Sequence, residues 1–356
     1  MGTYKIAVIP GDGIGTEVIS AGCEVLERLS AAQPGLSLSF ETFPWGTDHY
    51  LETGTMMPDD ALERLRGFDA IYFGSAGDPR VPDHITLWQL RLAICQGLDQ
   101  YANIRPARLL PGLTSPLRDA RQEDIDWIIV RENSEGEYSG AGGRVHQGLP
   151  LETGLDVSVI TRKGAERVQR FALELARSRP RKKLTLVTKS NAQRHAMVLW
   201  DEVFEEVSAG FPDVHTERVL VDAMTERFVN QPASIDTVVA TNLHADVLSD
   251  LAAALSGSLG VAPTGNLNPE RETPSMFEPI HGSAFDIMGR GVANPLGAFW
   301  SASLMLDHLG EAEAAARLLG AIEAVTAEGS VLTRDLGGQA GTADVTKAVV
   351  KALEQG

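Results

Sequence analysis

The chain has 356 residues, of which 43% are hydrophobic and 22% are charged, and its formal net charge is −17. A chain of this length favours two lobes over one. The strong negative balance argues against binding to nucleic acid or to an anionic membrane. Two cysteines, Cys23 and Cys95, cannot form a disulfide framework and lack metal-ligand spacing, which predicts reduced thiols and a cytoplasmic location.

The chain begins with an apolar run, KIAVI (5–9), followed by PGDGIG (10–15) and a helical pattern near 14–32. The run predicts a first β-strand rather than a secretion signal. The glycines follow a GxGxG spacing, whereas a dinucleotide-binding turn requires GxGxxG. We therefore predict a tight strand-to-helix turn, built on glycine torsions, and not a Rossmann site.

Short runs rich in Val and Ile alternate with amphipathic segments along most of the chain. The runs after the first are AIYFG (70–74), DWIIV (126–130), LTLVT (184–188) and DTVVAT (236–241). Such alternation predicts an α/β protein with a substantially parallel sheet. The glycine-rich stretch 134–160 predicts hairpins or an arm, which could be exchanged between subunits. The Ala/Glu-rich stretch 310–328 predicts one exposed helix that ends at Gly329. No apolar run is long enough to span a bilayer.

Arginines are concentrated near the ends of predicted strands. Arg105 stands in NIRPAR and Arg131 ends DWIIVR, with Arg91 and Arg108 close by in sequence. Strand ends in α/β folds face the crevice where ligands bind, and guanidinium forks are suited to carboxylates. The pattern indicates a pocket for an anionic substrate, with surface ion pairs as the alternative for each single arginine.

Three more side chains with useful chemistry also follow predicted strands. Tyr138 lies in RENSEGEY, Lys189 ends LTLVTK, and Asp222 lies in VLVDAM. Tyr and Lys can transfer protons when burial or nearby charge adjusts their pKa, and an Asp can supply a carboxylate to a metal. A structural or solvated role is the alternative for each residue alone.

The segment NLHADVLSDLAAALSGSLG (242–260) carries two carboxylates, Asp246 and Asp250, four residues apart. A helix would present both on one face. Because the segment has few other polar residues, we expect a mostly buried helix rather than a solvated acidic face. Unpaired buried carboxylates are costly, and oxygen ligands of this type suit Mg²⁺ or Mn²⁺. The sequence therefore predicts a metal-dependent reaction.

Taken together, these motifs resemble the β-decarboxylating dehydrogenases, the family of isocitrate, 3-isopropylmalate, homoisocitrate, D-malate and tartrate dehydrogenases. The matching motifs run nearly end to end: PGDGIG, ANIRPAR (102–108), RENSEGEY (131–138), TKSN (188–191), VDAM (221–224), the 242–260 segment, EPIHGSA (278–284), ANP (293–295) and DLGGQAGT (335–342). Three segments are most similar to the tartrate/D-malate group: PWGTDHY (44–50), TGTMMPDD (53–60) and VPDHITLW (81–88).

The resemblance implies an α/β, isopropylmalate dehydrogenase-like two-lobed fold that is not a Rossmann fold. Residues 1–104 and 258–356 would form the large, cofactor-binding lobe. Residues 105–257 would form the smaller lobe, with the dimer interface and the arm. The resemblance also implies a homodimer in which each active site draws groups from both subunits.

Roles for individual residues follow from the same resemblance. Arg105 and Arg131 would bind the carboxylates of a malate-like substrate. Lys189 of the partner subunit would help to deprotonate the substrate hydroxyl, and Tyr138 would protonate the enolate carbon. The metal, Mg²⁺ or Mn²⁺, would be held by Asp246, Asp250 and Asp222 of the partner subunit. A requirement for a monovalent cation such as K⁺ is left open.

The resemblance further implies a nicotinamide dinucleotide. Its contacts would come from one loop region and a nearby Asn: His281, Gly282, Ser283, Ala284, Asp286 and Asn294. Asp286 matches the acidic residue that accepts the ribose hydroxyls of the adenosine. A carboxylate there repels a 2′-phosphate, so the implied cofactor is NAD rather than NADP.

One position departs from the family pattern. Relatives usually have another carboxylate-binding Arg ten residues before the Arg of the RP motif, and here that position is Cys95. Arg91 lies one helical turn earlier. Either Arg91 replaces the lost charge, or the substrate lacks the group that the missing Arg would bind. A cation in the pocket argues against a purely apolar substituent such as that of 3-isopropylmalate.

The sequence thus predicts NAD-dependent, metal-dependent oxidation of a malate-like 2-hydroxy diacid, with tartrate or D-malate as the leading substrates and decarboxylation as an optional second step. Close alternatives are 3-isopropylmalate, homoisocitrate or a specialised diacid. An alternative of a different class is that the protein is a non-catalytic, regulatory paralogue. Its only support is that Cys95 stands where relatives have an arginine.

Overall fold

The computed structural model describes residues 2–355. Ten strands form one sheet: β1 (Gly2–Gly11), β2 (Leu36–Thr42), β3 (Ala70–Ser75), β4 (Ala102–Arg108), β5 (Asp126–Glu132), β8 (Lys183–Thr188), β9 (His215–Leu220), β10 (Thr237–Ala240), β11 (Pro263–Leu267) and β12 (Ser275–Pro279). Two more strands, β6 (Gly142–Val145) and β7 (Thr153–Asp156), form a separate two-stranded sheet. The Val- and Ile-rich runs therefore become strands, as the sequence predicted.

In the described part of the chain, residues 2–355, twelve α-helices accompany the strands: α1 (Gly15–Ala32), α2 (Thr47–Thr53), α3 (Ala61–Leu65), α4 (Asp83–Thr86), α5 (Ala93–Gly97), α6 (Arg162–Ser178), α7 (Ala196–Ser208), α8 (Val221–Asn230), α9 (Asn242–Leu255), α10 (Leu296–Leu309), α11 (Ala312–Glu328) and α12 (Thr342–Gln355). A π-helical turn, Leu87–Leu92, joins α4 to α5. Among residues 2–355, no helix is long and apolar enough to cross a membrane.

The strand order across the large sheet is β2-β1-β3-β12-β11-β4-β5-β10-β8-β9. The two outer groups are parallel, from β2 to β12 and from β5 to β9. The three central pairings, β12/β11, β11/β4 and β4/β5, are antiparallel. The expectation of a substantially parallel sheet thus holds at both sides, while the centre runs in alternating directions.

Helices pack on both faces of the sheet, as parallel strands require. Helix α10 lies in the middle of the largest hydrophobic cluster and is buried along almost its whole length, which its nearly uniform apolar sequence explains. Helix α11 does end at Gly329, which has the left-handed torsion of a C-cap (φ 70°). It is not an exposed helix, however: Leu318 and Ile322 are fully buried, because one face packs against α10 and α12.

The turn after β1 has the predicted strand-to-helix geometry. Gly11 and Gly13 both have positive φ, at 66° and 58°. A Cβ at Gly11 would lie 1.9 Å from the carbonyl oxygen of Ser75 on β3. The glycines are therefore needed for a left-handed turn and for close backbone contact, as predicted from their spacing.

Strands β6 and β7 form an antiparallel hairpin in the glycine-rich region, as the sequence predicted. The hairpin and its flanks expose several large apolar side chains: Val145, Leu149, Leu151, Leu155 and Val157. Exposed apolar clusters of this kind are unusual on the free surface of a monomer.

Candidate active site

The antiparallel centre of the sheet brings three polar side chains into one row. Arg131 on β5 pairs with Asn103 on β4, and Asn103 pairs in turn with Asn266 on β11. Arg105 is two residues further along β4 and so lies on the same face as Asn103. All four residues are at least nine-tenths buried. The register of three strands thus places two of the predicted substrate-binding arginines side by side.

Helix α9 covers this row and supplies the anion that faces both arginines. The Nη1 atom of Arg105 lies 3.0 Å from Asp246 Oδ1 and donates to Ser249 Oγ at 2.7 Å. Arg131 pairs with the same Oδ1 atom, and its Nε donates to Asn242 Oδ1 at 2.8 Å. Burial opposes ionisation of Asp246, but Arg131 and Arg105 hold its pKa below the usual value. Burial and Arg131 lower the pKa of Arg105 to about 10, so both ions stay charged at neutral pH.

Tyr138 completes this cluster. Its hydroxyl donates to Asp246 Oδ2 at 3.1 Å, and the guanidinium of Arg131 lies 5.1 Å from the centre of its ring. Burial, followed by the negative charge of Asp246, raises the pKa of Tyr138. The hydroxyl therefore keeps its proton at neutral pH, which is the state that a proton donor needs.

The expectation that α9 is mostly buried with unpaired carboxylates is wrong. Leu243 and Val247 are 41% and 58% exposed, so one apolar stripe of the helix faces outward. Asp246 is paired with arginines rather than unpaired. The side chain of Asp250 is 61% exposed and lies 3.9 Å from Arg105 Nη1. The two carboxylates do lie one turn apart, as predicted.

Arg91 enters the same pocket from the π-helical turn and is held by a carboxylate. Its Nε donates to Glu278 Oε1 at 2.8 Å, and its Nη2 lies 2.7 Å from the same oxygen. Nη2 also donates to Asn266 Oδ1 at 3.3 Å. Burial would lower the pKa of Arg91, but Glu278 raises it, so the guanidinium stays charged. Cys95 cannot replace an arginine, because burial raises the pKa of its thiol to about 11 and leaves it neutral.

These side chains surround a small cavity of about 180 Å³. That is below the roughly 300–1,000 Å³ of pockets for drug-sized ligands, and so suits a small molecule. The lining residues are Ser75, Ala76, Leu87, Arg91, Arg105, Arg131, Tyr138, Asp246, Thr264, Glu278, Pro279, Ile280, His281 and Gly282. Three guanidinium groups thus face two carboxylates inside a protein of net charge −17. The cavity is a local cationic site for an anion.

Other predicted residues lie elsewhere. Arg108 forms an ion pair with Glu323 of α11 and is not among the described residues that line the cavity. Lys189 Nζ donates to Asp222 Oδ1 at 2.5 Å, and this hydrogen bond lowers the pKa of Asp222. Neither Lys189 nor Asp222 is among the described residues that line the cavity. Their assignment to the active site of a partner subunit stays a prediction.

The donor chemistry fits a divalent cation only in part. Asp246 and Asp250 offer carboxylate oxygens on successive turns of α9, and Asp250 has room for a ligand because it is largely exposed. Within residues 2–355, however, no three His, Cys, Asp or Glu side chains are grouped as a complete metal site would require. A third carboxylate would have to come from outside the single chain.

The predicted cofactor segment follows β12 and borders the cavity. Ser283 Oγ and His281 Nε2 are buried and have no hydrogen-bond partner within residues 2–355. Burial lowers the pKa of His281, so its imidazole is neutral at pH 7. Gly282 has open space beside it, and Asp286 is exposed. Unsatisfied buried polar atoms at an open edge fit a polar ligand. Asn294 differs, since its amide already donates to Asp335 and accepts from the Leu296 amide.

Comparison with known proteins agrees with this geometry. Residues 5–349 match the isocitrate/isopropylmalate dehydrogenase family. The chain belongs to that family. A probable tartrate dehydrogenase/decarboxylase from Agrobacterium vitis is 62% identical over 353 residues, covering 99% of this chain and 98% of the relative. The decarboxylating D-malate dehydrogenase of Escherichia coli K12 is 48% identical over 360 residues, covering 99% of each chain.

The fold is confirmed by a solved relative. The crystal structure of isocitrate dehydrogenase from Methylococcus capsulatus superposes with a TM-score of 0.90 at 34% identity, covering 99% of this chain and 100% of that one. Both the predicted isopropylmalate dehydrogenase-like α/β fold and the likeness to the tartrate/D-malate group are confirmed. This family member is an enzyme of the dehydrogenase/decarboxylase kind, as predicted.

Sequence reasoning missed several residues in and behind the pocket. Glu278 was part of a recognised motif but received no role, and Thr264, which also lines the cavity, was not singled out. Asn103 and Asn266, which lie behind the cavity and bond to each other, were not singled out either. The signal for them is register across antiparallel strands, which only the three-dimensional pairing reveals. Asn242, which accepts a hydrogen bond from Arg131, was quoted only as the start of the α9 segment.

Proposed function

We propose that the chain is an NAD-dependent, divalent-metal-dependent dehydrogenase that oxidises a malate-like 2-hydroxy diacid, tartrate or D-malate, with loss of CO₂ where the oxidised product allows it. The observation that carries the proposal is the cavity in which Arg91, Arg105 and Arg131 converge beside Asp246 and Tyr138. The names of the relatives point to the same substrates.

Substrate binding rests on the arginines. Arg105 and Arg131 bind the two carboxylates, each through a bidentate or paired contact that fixes the orientation of the diacid. The small volume of the cavity and its polar lining favour a compact, hydroxylated diacid over one with a bulky apolar branch. We therefore expect 3-isopropylmalate, which has such a branch, to be a poorer substrate than tartrate or D-malate.

We assign the proton transfers to two residues. Oxidation removes a hydride from C2 and a proton from the C2 hydroxyl, and Lys189 of the partner subunit helps to accept that proton. If the carboxylate β to the new carbonyl leaves as CO₂, the enolate carbon must gain a proton. Tyr138 donates it, because its raised pKa keeps the phenol protonated and its hydroxyl faces the cavity.

A divalent cation, Mg²⁺ or Mn²⁺, would be held by Asp246, Asp250 and Asp222 of the partner subunit. When bound, it would supply Lewis-acid stabilisation of the oxygen that becomes negatively charged. Asp246 currently faces two arginines, so the same residue would link the metal to the carboxylate-binding groups.

NAD would bind along the segment after β12, where His281, Ser283 and Asp286 offer polar atoms beside Gly282; Ala284 and Asn294 complete the proposed contacts. When bound, the nicotinamide would accept the hydride from C2. The exposed carboxylate of Asp286 is suited to ribose hydroxyls and would repel a 2′-phosphate.

A homodimer with shared active sites is part of the proposal. The apolar stripe of α9 and the exposed apolar residues of the β6/β7 hairpin are surfaces that a second copy would cover. We assign residues 1–104 and 258–356 to the cofactor lobe and 105–257 to the small lobe, so that the first boundary lies within β4. The acidic surface and reduced cysteines favour a cytoplasmic enzyme that binds neither nucleic acid nor membrane.

The test is NADH formation by the purified protein with NAD⁺ and Mn²⁺ across D-malate, the tartrate stereoisomers, 3-isopropylmalate, isocitrate and homoisocitrate. We expect the highest kcat/KM with D-malate or a tartrate, and a much lower value with NADP⁺. A preference for 3-isopropylmalate would contradict the proposed substrate. No turnover of any diacid would contradict the proposed activity and favour a regulatory role.

A further inference from the structure

We propose that Asn266 is a positioning residue of the substrate pocket, which fixes Arg91 and Arg105 relative to each other. This inference rests on the proposed function, because it assumes that both arginines face a bound diacid. Asn266 lies on β11, is fully buried, and does not line the cavity itself. Its effect on substrate would therefore be transmitted through the residues that it contacts.

The amide of Asn266 links two separate groups through hydrogen bonds. Its Nδ2 donates to Glu278 Oε1 at 2.7 Å, and this carboxylate oxygen is the one that accepts from Arg91. Its Oδ1 accepts from Asn103 Nδ2 at 2.8 Å, and Asn103 Oδ1 accepts in turn from Arg105 Nε at 3.0 Å. A continuous chain of hydrogen bonds thus connects the two guanidinium groups.

The position requires a side chain that both donates and accepts. Oδ1 of Asn266 also accepts directly from Arg91 Nη2 at 3.3 Å and from Asn133 Nδ2 at 3.1 Å. An aspartate would keep the acceptor but could not donate to Glu278, and it would place two carboxylates in contact. A leucine would leave the polar groups of Glu278 and Asn103 without this partner in a buried site, where such losses are costly.

Burial makes the network a rigid support rather than a mobile one. Asn103, Asn266 and Glu278 are each at least 95% buried, and their three strands are paired in register. The network binds Nε and Nη2 of Arg91 and Nε of Arg105, while Nη1 of Arg105 donates to Asp246 and Ser249. The network therefore sets which edge of each arginine faces a diacid.

Asn268 offers a matched control two residues further along the chain. It is also buried, and it makes two hydrogen bonds to backbone atoms: its Nδ2 donates to the Asp99 carbonyl at 3.2 Å, and its Oδ1 accepts from the Glu272 amide at 2.9 Å. Within residues 2–355, the side-chain amide of Asn268 has hydrogen bonds only to backbone atoms of Asp99 and Glu272, so it orients no guanidinium group. A substitution there tests the general cost of removing a buried Asn from this region.

The experiment compares wild-type protein with the N266A, N266S and N268A variants, all loaded with Mn²⁺. Calorimetry gives the Kd for D-malate or tartrate, whichever the wild type binds more tightly, and separately the Kd for NAD⁺. We expect N266A to raise the Kd for the diacid by about tenfold or more, which is about 1.4 kcal/mol. N266S, which restores a small donor and acceptor, should give an intermediate value. The Kd for NAD⁺ should change little in either variant, and N268A should change neither Kd.

The inference would be overturned if N266A left the Kd for the diacid unchanged, or if N266A weakened NAD⁺ binding as much as diacid binding. It would also be overturned if N268A weakened diacid binding as much as N266A does. The same holds if both Asn266 variants failed to fold while N268A folded. Wild-type protein that binds the diacid without forming NADH would contradict the proposed function only, since the comparison of Kd values still applies. Wild-type protein that binds no diacid would contradict both.

Discussion

The Asp246→Asn variant is expected to lose about 10³-fold in kcat/KM for the malate-like substrate, which is ~4 kcal/mol of transition-state stabilisation. Asp246 is the side chain that joins the proposed metal site to Arg105, Arg131 and Tyr138. The amide keeps the shape but loses the charge that a cation requires. Activity is measured as NADH formation at saturating Mn²⁺, and metal binding is measured separately by calorimetry.

The control for this variant is Asp307→Asn, which changes an exposed carboxylate near the end of α10. We expect wild-type activity from it. The thermal midpoint of Asp246→Asn should fall by a few degrees, because two buried guanidinium groups lose their shared anion. Circular dichroism should otherwise match the wild type. If Asp246→Asn retained wild-type activity and Mn²⁺ affinity, the metal assignment would be wrong.

Mixing two inactive variants is expected to restore activity. In the proposed dimer, Asp246 of one subunit acts with Lys189 of the partner subunit. A mixed dimer of Asp246→Asn and Lys189→Ala therefore contains one site with both changes and one site with neither. Random reassembly at equal amounts should recover roughly a quarter of wild-type activity, since about half of the dimers are mixed and each has one intact site.

The measurement is the rate of NADH formation after joint unfolding and refolding, compared with each variant refolded alone. A refolded wild-type sample corrects for incomplete recovery. In one chain Lys189 pairs with Asp222 and does not line the cavity that contains Asp246. Activity that stays at the level of the single variants, with mixed dimers shown to be present, would contradict the shared active site.

The strands and the first turn were predictable from local patterns. Val- and Ile-rich runs became β-strands, and the glycine spacing after β1 correctly indicated a tight strand-to-helix turn. These features depend on side-chain period and backbone torsion, which are local properties. The adjacency of Arg105 and Arg131 was anticipated only in general terms, as residues near strand ends.

The errors have a common physical origin. Helix α9 was expected to be buried because it is apolar, yet Val247 is more than half exposed. Composition alone cannot distinguish a helix buried in its own chain from one with an apolar stripe that a partner could cover. The opposite error concerns α11, which was expected to be exposed because it is rich in Ala and Glu, although Leu318 and Ile322 are fully buried. Asp246, on helix α9, pairs with arginines from strands β4 and β5. This pairing could not be predicted from local pattern, because it joins residues that are distant in sequence.

The location and the ion pair of Arg91 bear on a question that the sequence left open. The sequence left two alternatives: Arg91 replaces the charge missing at Cys95, or the substrate lacks the corresponding group. The structure places Arg91 in the cavity, but paired with Glu278, so that its charge is largely balanced. This pairing could not be read from the sequence, because the two residues are 187 positions apart.

The proposed metal and substrate sites are tested together by a crystal structure of the protein grown with Mn²⁺ and the preferred diacid, with an anomalous difference map for manganese. We expect a manganese peak between Asp246 and Asp250 of one subunit and Asp222 of the partner subunit. We also expect density for a diacid whose carboxylates contact Arg105 and Arg131. A manganese peak away from these carboxylates, or a diacid bound outside this cavity, would show that the proposed site is wrong.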